Sequence, residues 1–528
     1  MKRSIASYAS AALVFAIVVF IAAPAPGAEV FQIPAIKIPN SSILPNNKVE
    51  PVPLYIGQPA TAQPITGTMP VPQNPFMALN PWNCMHNDSY MSDVYPNAGP
   101  LGVNPVVSST WLGPPDDLAA IVVGLTADSV NNLLIAASIK VVSAQQTAWV
   151  QLTLIDAATL ATLAKFDLPK EAAAIGTGFR PSGAYFYMAQ DNRIVIGTRE
   201  RTVWLVSYSF DSGTGRWSFH HDNEANPWDL SAVIPEGDAI QALQPDWSGL
   251  LWFTSKGGVV GTLDMGTGEV IGFLQLPDER IVNGHAAGEE GGVYIASTLA
   301  MYRFDADATG FPVVTWRQTY DAGTHVKEGQ TDIGTGTTPT LMGDRYVAIT
   351  DNGQPQMHVL VYDRADGTLV CAEPVFQPGQ ASNENSLVAT DSSIIVENNF
   401  GYKNAMKDTT HGRTSVAGIA RIDVENGACR TVWTNDSISI PTLITKMSLA
   451  NGLIYTYTKP KGPATTDPWY FTAVDFHTGE TVWKVLAGIG ILYNNHYAGA
   501  YLGPDGTLYV GVLGGIVAMR DVPEEGIK

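Results

Sequence analysis

The chain has 528 residues and a formal net charge of −19, and only 15% of its residues are charged. The excess of acidic residues argues against a nucleic-acid partner, because phosphate backbones are bound by basic surfaces that displace counterions. The length allows two domains or one large ring of β-sheets. The low charge density suits an acidic or extracellular medium.

Residues 1–28 have the three parts of a secretory signal peptide. Lys2 and Arg3 form its basic start, residues 12–23 its apolar centre, and the small residues before Glu29 its cleavage site. An apolar centre of about 12 residues is shorter than the roughly 20 that span a bilayer. We therefore expect a periplasmic or secreted protein without a stable membrane span.

The chain has three cysteines, Cys84, Cys371 and Cys429. In an oxidising compartment this odd number predicts one disulfide and one spare thiol, with the pairing left open. The sequence contains neither a CxxCH haem attachment nor an adjacent cysteine pair. A zinc site built from thiols is therefore not expected.

Residues 29–115 are rich in proline, asparagine and small residues and show little periodicity. Such a composition is typical of an extended segment with stretches of polyproline II conformation. We interpret these residues as a strap that precedes the domain formed by residues 116–528 and helps to close it.

Two short patterns alternate in the rest of the chain, and each occurs eight times with a period of about 40–60 residues. One is an apolar strand that ends in aspartate, as in TLDMGTGEVIGF and AVDFHTGETVWKV. The other is a small polar turn that leads into a β-rich strand, as in DNRIVIGT and DGTLYVG. The aspartates that end the strands are Asp156, Asp211, Asp264, Asp305, Asp363, Asp423, Asp475 and Asp521.

Repeats of this length with several strands each predict a β-propeller, since one blade cannot bury its faces alone. Each blade then consists of strands A, B, C and D, with tight A–B and C–D turns. The eighth repeat ends after its C strand at Asp521, so a strand near VVSSTWLG (106–113) is needed to complete it. We therefore predict an all-β fold, an eight-bladed β-propeller with an N-terminal extended strap.

The segment DFHTGETVW (475–483) shows the C–D turn most clearly. Thr-Gly supplies the positive φ of a tight turn, Asp475 caps it, and Trp483 is expected to pack between blades. The pattern resembles the PQQ-like repeat β-propellers, the superfamily of quinoprotein alcohol dehydrogenases and of an outer-membrane assembly scaffold, over about residues 120–525. Copies such as DAATLATLAKF mark the chain as a diverged member. Tetrathionate hydrolases, which are secreted and poorly charged, look similar to this repeat class.

A propeller places its A–B and C–D turns on one face, which we call the motif face. Its D–A and B–C connections lie on the other face, around the channel mouth. In ASNENSLVATDSSIIVENNFGYK (381–403), NENS opens strand A of the sixth blade and ENNFGY follows strand B. Because an antiparallel hairpin brings its outer ends together, these carboxylates and amides should meet at the mouth.

The mouth is expected to hold carboxylates, imidazoles, amides and ammonium groups from distant parts of the chain. We interpret Asp332 or Glu384 as a general base, and His285 and His496 as proton donors. The predicted substrate-binding residues, whose lysines and amides would hold an anionic group, are Lys403, Lys446, Asn385, Asn399, Asn494, Tyr402, Thr338 and Asp351. The resulting hypothesis is an exported hydrolase or lyase of a small molecule, with tetrathionate-type sulfur compounds as one case.

Other functions stay open. Glu384, Asn385, Asn399 and Asn494 carry the oxygen ligands that Ca²⁺ accepts, which would suit a calcium-dependent propeller hydrolase. A PQQ-dependent dehydrogenase is disfavoured, because the resemblance implies a vicinal cysteine pair that this chain lacks. A non-catalytic periplasmic scaffold would bind its partner in a groove on the rim. The sequence also leaves a homodimer open.

Overall fold

The computed structural model describes residues 52–79, 82–113, 121–142, 147–172, 183–463 and 466–522. Within these residues the fold is all-β, and eight small antiparallel sheets form a ring, which confirms the predicted eight-bladed propeller. The signal peptide predicted for residues 1–28 lies outside the described residues. No helix in the described part of the chain is long and apolar enough to cross a membrane.

The first four blades follow one another along the chain, and each is given from inner strand A to outer strand D. Blade 1 contains Ile121–Asp128, Leu133–Val142, Thr147–Asp156 and Thr162–Asp167, and blade 2 contains Tyr187–Met188, Ile194–Gly197, Thr202–Asp211 and Arg216–His221. Blade 3 contains Ile240–Pro245, Leu250–Ser255, Val259–Asp264 and Val270–Gln275, and blade 4 contains His285–Ala287, Val293–Ala296, Ala300–Ala306 and Pro312–Thr319. Two short strands, Glu171–Ala172 and Trp228–Asp229, pair with the C strands of blades 1 and 2.

The other four blades complete the ring. Blade 5 contains Thr340–Met342, Tyr346–Thr350, Met357–Asp363 and Leu369–Val375, and blade 6 contains Val388–Ala389, Ser393–Glu397, Ile419–Glu425 and Ala428–Asn435. Blade 7 contains Lys446–Ser448, Leu453–Thr458, Pro468–Asp475 and Thr481–Ile489, flanked by Val94–Tyr95 inside and Tyr55–Gly57 outside. Blade 8 contains Ala500–Leu502, Leu508–Val512, Gly515–Asp521 and Pro105–Trp111, and the described helices are Ala405–Asp408 and the 3₁₀ turn Ile491–Tyr493.

The inner strands are apolar because neighbouring blades cover both of their faces. Strand B of blade 5, Tyr346–Thr350, and strand B of blade 6, Ser393–Glu397, are buried at every residue. In the outer strand of blade 2, Arg216–His221, exposed and half-buried residues alternate. Continuous apolar runs of the sequence therefore become inner strands, and alternating runs become outer strands.

In blades 5 and 7 the repeated C–D turn packs against a tryptophan of the preceding blade. In blade 5 the carboxylate of Asp363 accepts a hydrogen bond from Ala365 N at 2.9 Å, and Gly367 has a φ of +74°. Trp316, in the D strand of blade 4, packs on Gly367, and its indole nitrogen donates to Arg364 O at 3.0 Å. The predicted aspartate cap, positive-φ glycine and inter-blade tryptophan are all present.

The ring closes between two distant parts of the chain. Pro105–Trp111 runs antiparallel to Gly515–Asp521 and supplies the outer strand that the sequence predicts for blade 8. The carboxylate of Asp521 accepts hydrogen bonds from Leu101 N at 2.7 Å and Gly102 N at 3.1 Å. Gly102 has a φ of +82°. These residues therefore rebuild, from two separate segments, the capped turn of the other blades.

Residues 82–97, which we call the plug, fill the central channel. Their carbonyl groups accept hydrogen bonds from backbone N–H groups at the inner strands of five blades. The pairs, with the donor given first, are Met188–Asn83, Ala287–Ser89, Leu341–Tyr90, Ala389–Ser92, Met447–Asp93 and Leu449–Tyr95. The preceding residues 68–79 cross the motif face, where Asn74 Nδ2 donates to Pro245 O at 2.9 Å. The sequence predicts an extended strap, but not its course through the channel.

The cysteines behave as the sequence predicts. Cys371 and Cys429 form a disulfide between the outer strands of blades 5 and 6, and Cys84 is a free thiol in the plug. Burial raises the pKa of Cys84 well above its ordinary value, which keeps the thiol neutral. The disulfide therefore links two blades, while the spare thiol is part of the interior.

Candidate active site

The channel mouth lies opposite the motif face, where the inner strands of the blades begin. Thr338 and Ser386 precede the inner strands of blades 5 and 6, and Lys446 begins that of blade 7. The plug brings two further polar side chains to this end of the channel, those of His86 and Asp93. Residues from separate parts of the chain therefore meet there.

Asp93, His86 and Ser386 form a line of hydrogen bonds. An oxygen of Asp93 lies 3.0 Å from His86 Nδ1, and Ser386 Oγ lies 3.2 Å from His86 Nε2. Their exposed fractions are 0%, 1% and 6%. Lys446 also donates to Asp93. In the histidine tautomer whose Nδ1 proton faces Asp93, Nε2 is the acceptor that faces Ser386. This is the arrangement of an orienting carboxylate, a base and a hydroxyl nucleophile.

Thr338 fixes the direction of the serine hydroxyl. Its backbone N–H donates to Ser386 Oγ at 3.2 Å, so the hydroxyl proton of Ser386 is free to point at His86 Nε2. The Thr338 hydroxyl lies 3.5 Å from the same nitrogen. Tyr185 bonds to Thr338, and burial raises the pKa of Tyr185 to about 12. The site therefore has a neutral phenol beside the His86–Ser386 pair.

Lys446 binds Asp93, the first residue of this line of hydrogen bonds. Its ammonium group is fully buried and donates to Met85 O at 2.8 Å, to Asn87 Oδ1 at 3.1 Å and to Asp93. The sequence predicts that Lys446 binds an anionic substrate group. In the structure its three donors are occupied by the plug, and Lys446 binds the same Asp93 side chain that contacts His86.

Asp332 and Glu384, the predicted general bases, lie at the rim of the mouth. Asp332 is buried and forms a bidentate ion pair with Arg280, whose Nε lies 2.9 Å from its carboxylate. Glu384 is half-exposed and accepts a hydrogen bond from the Thr331 hydroxyl. Each carboxylate is therefore bound to a side chain from the connection that precedes its own, Asp332 to Arg280 and Glu384 to Thr331.

The two polar ends of the blade 6 hairpin meet, as the sequence predicts. Glu384 N donates to Asn399 Oδ1 at 2.9 Å, and Asn385 donates to the carboxylate of Glu397. Thr445 donates to the other oxygen of Glu397 at 2.5 Å. Burial raises the pKa of Glu397 to about 7, although these hydrogen bonds oppose the shift. The hairpin ends form a buried acid-and-amide network beneath the mouth.

His285 and His496, the predicted proton donors, occupy separate environments. Burial lowers the pKa of each to about 4, so both are neutral at neutral pH. His285 lines a small cavity of about 10 Å³ together with His86 and Cys84, large enough for about one water molecule. His496 Nδ1 lies 2.7 Å from the hydroxyl of Tyr402. Of the three buried imidazoles His86, His285 and His496, that of His86 faces a serine hydroxyl.

The other predicted binding residues contact side chains of the protein itself. Asp351 binds His358 at 2.8 Å, Lys403 lies 3.8 Å from Glu328 at the surface, and Asn494 Nδ2 donates to Thr409 at 2.8 Å. Among the described residues, no three His, Cys, Asp or Glu side chains are grouped as metal ligands would be. Of the residues proposed for Ca²⁺, Asn385 and Asn399 bind Glu397.

The sequence analysis missed His86, Asp93 and Ser386. The available signal was WNCMHNDSYMSDVY (82–95), a run of polar and aromatic residues that an extended surface strap does not need. Ser386 belongs to the NENS cluster, of which only the carboxylate and amides were considered. The hydrogen bond between His86 and Ser386 joins residues 300 positions apart. Local patterns do not reveal such contacts.

The chain was compared with known proteins. No protein-family model matches it. An uncharacterized protein of Archaeoglobus fulgidus is 29% identical over 325 residues, which are 54% of this chain and 62% of that protein, so the match spans less than two thirds of the relative. The computationally designed Ika8 protein has a TM-score of 0.41 and 13% identity, covering 78% of this chain and 98% of the design. BamB from Moraxella catarrhalis has a TM-score of 0.33 and 14% identity, covering 62% of this chain and 94% of BamB.

Proposed function

We propose that the protein is an exported hydrolase that cleaves a small molecule at the channel mouth, with Ser386 as nucleophile and His86 as general base. The observation that carries this proposal is the hydrogen-bond line from Asp93 through His86 to Ser386. A buried carboxylate that fixes the tautomer of a histidine, which in turn accepts from a hydroxyl, is the arrangement that activates serine for attack.

In the proposed reaction Ser386 Oγ attacks the carbonyl carbon of an ester or thioester, and its proton passes to His86 Nε2. The tetrahedral intermediate collapses, His86 returns the proton to the leaving group, and an acyl-serine remains. Water then attacks the acyl group with His86 again as base, which releases the acid and restores Ser386. Asp93 is a positioning residue that stabilises the imidazolium formed in each half-reaction.

The direction from which a substrate enters follows from the plug. Because residues 82–97 fill the channel, a substrate reaches Ser386 from the mouth and not through the ring. Tyr185 and Thr338 border the serine and offer hydroxyl groups that can orient a polar substrate. Because Ser386 is only 6% exposed, we propose a small ester or thioester as the substrate of this step.

Membership of the PQQ-like repeat class is part of the proposal. It is supported by the aspartate-capped glycine turns and inter-blade tryptophans, which are structural features and carry no catalytic information. Export is supported by the features of residues 1–28, and tetrathionate-type hydrolysis by the resemblance alone. The proposed mechanism uses only side chains of this chain and needs no quinone.

The test combines substrates, a covalent probe and one variant. Wild type, Ser386→Ala and the control Ser392→Ala, which alters an exposed turn in the same blade, are assayed with p-nitrophenyl acetate, a short thioester and tetrathionate between pH 4 and 8. We expect kcat in Ser386→Ala to fall by about 10³-fold or more, with Ser392→Ala unchanged. A fluorophosphonate should label Ser386, as read by mass spectrometry of the tryptic peptide. Equal rates in wild type and Ser386→Ala, or a folded wild type that neither turns over nor is labelled, would overturn the proposal.

A further inference from the structure

A second cavity lies at the other end of the channel, on the motif face. Its volume is about 410 Å³, within the range of about 300–1,000 Å³ that small-molecule sites occupy. It is enclosed by residues 68–74 of the strap, by the plug, and by inner strands and turns of blades 5, 6 and 7. The plug separates it from Ser386, so it is a distinct site.

The walls of this cavity are mainly apolar. They include Met69, Val71, Val94, Leu341 and Leu449. Leu79, which also lines the cavity, is 83% exposed, so solvent reaches the cavity beside the strap. A large exposed apolar side chain at the entrance of an apolar cavity costs solvation free energy that a bound apolar molecule recovers.

The polar end of the cavity is formed by Asp88 and Ser89 in the plug. Ser89 is 1% exposed, and its hydroxyl has no hydrogen-bond partner among the described residues. The carboxylate of Asp88 accepts from the Ser92 hydroxyl at 2.6 Å and from the backbone N–H groups of Tyr90 and Ser92. A carboxylate has about four acceptor positions, so one remains for a ligand.

The charges around the cavity select the kind of ligand. Asp88 and Asp391 line it, and no lysine, arginine or histidine of the described chain does so. An anionic ligand would be repelled, and a neutral apolar ligand would leave the Ser89 hydroxyl buried without a partner. An ammonium group can donate to both Asp88 and Ser89.

We propose that this cavity binds a small apolar amine, with its ammonium group on Asp88 and Ser89 and its apolar body against Val94, Leu341 and Leu449. Burial raises the pKa of Asp88 to about 7, although the hydrogen bonds from Ser92 and Tyr90 oppose the shift. A bound cation would favour the carboxylate and lower this pKa again. This inference does not depend on the function proposed for Ser386.

The experiment uses three probes with the same apolar body: 4-phenylbutylamine, 4-phenylbutanol and 4-phenylbutyrate. Binding to the full-length protein is measured by calorimetry at pH 7.5. We expect the amine to bind at least about 10-fold more tightly than the alcohol, and the acid to bind most weakly. Asp88→Asn should weaken the amine about 10-fold or more and leave the alcohol unchanged, while Asp366→Asn, in an exposed turn of blade 5, should change neither.

Leu449→Trp serves as a second variant, because its larger side chain occupies the apolar half of the cavity. It should abolish binding of both the amine and the alcohol while the circular dichroism spectrum is retained. The proposal is overturned if the amine does not bind wild type at millimolar concentration. This is the result expected if another segment of the chain fills the cavity. It is also overturned if the acid binds as tightly as the amine, or if Asp88→Asn and Leu449→Trp bind the amine like wild type.

Discussion

Glu397 shows how burial sets the acid–base behaviour of a single residue. Its carboxyl group lies under the channel mouth among Asn385, Asn399 and Thr445, and burial raises its pKa to about 7. In an unfolded chain a glutamate has a pKa of about 4.3. The folded protein therefore holds this proton more tightly than the unfolded chain, and acid pH favours folding through this group.

We predict that Glu397→Gln removes this pH dependence. The stabilisation by Glu397 is complete below pH ~4.3 and is lost as the pH rises through about 7. Relative to the variant, wild type should therefore lose stability between pH 5 and pH 8, by up to the order of 3 kcal/mol. Urea unfolding of both proteins at the two pH values measures this. His285, whose pKa burial lowers to about 4, acts in the opposite direction but cancels from the difference. An equal difference at both pH values would contradict the prediction.

Lys446 should be essential for stability, because Asp93 is fully buried beside it. We predict that Lys446→Met lowers the free energy of unfolding by about 3–5 kcal/mol, since it leaves a buried carboxylate without its cation. The exposed Lys403 provides the control, and Lys403→Met should change stability by less than about 0.5 kcal/mol. Urea unfolding at pH 7 compares the two. Adding Asp93→Asn to Lys446→Met should recover part of the loss, and equal stability of the two lysine variants would contradict this account.

At the scale of the structural element, the C–D turn connects local sequence to blade packing. In blade 7, Gly479 has a φ of +76°, and a Cβ atom there would lie 2.5 Å from Trp433 in the preceding blade. The indole of Trp433 donates to Phe476 O at 2.9 Å. The glycine therefore serves both the backbone of its turn and the contact between blades.

We predict that Gly479→Ala is more destabilising than Gly215→Ala. Gly215 occupies the same position in blade 2 with a φ of +68°, but nothing lies within 4 Å of its added Cβ. Gly215→Ala should cost only the left-handed backbone strain of about 1–2 kcal/mol, and Gly479→Ala a further 1–3 kcal/mol, roughly, from overpacking against Trp433. Thermal unfolding measures both. Equal losses would show that the tryptophan contact adds nothing.

The sequence predicts those elements whose signal is local. The D-x-x-T-G turns, the apolar inner strands and the meeting of the NENS and ENNF ends follow from residues close together in the chain. The course of residues 82–97 does not, because its hydrogen bonds reach inner strands of five blades and follow no periodic pattern. His86, Asp93 and Lys446 were missed or given another role for the same reason. The role of these residues depends on contacts between parts of the chain that are far apart in sequence.

At the scale of the whole molecule, Asp521 holds together the two chain segments that close the ring. It caps Leu101 and Gly102 across a separation of more than four hundred residues, whereas Asp211 caps a continuous turn at Gly213 and Thr214. We predict that Asp521→Ala costs about 1.5–3 kcal/mol, because hydrogen bonds to a charged acceptor are lost at the closure. Asp211→Ala is the control and should cost less, since its carboxylate is exposed to solvent.

Limited proteolysis distinguishes a loosened closure from general destabilisation. In Asp521→Ala, cleavage should become faster within residues 97–112 than elsewhere, as mapped by mass spectrometry of the first fragments. Cleavage spread evenly over all eight blades, or unchanged from that in Asp211→Ala, would argue against a special role of Asp521.

The pairing of Pro105–Trp111 with Gly515–Asp521 also sets an order of events during biosynthesis. A ribosome makes the first of these strands some four hundred residues before the second, so the ring cannot close before Gly515–Asp521 has been made. Until residues 515–521 have emerged from the ribosome, Pro105–Trp111 has no partner strand and the residues around the channel stay accessible to solvent.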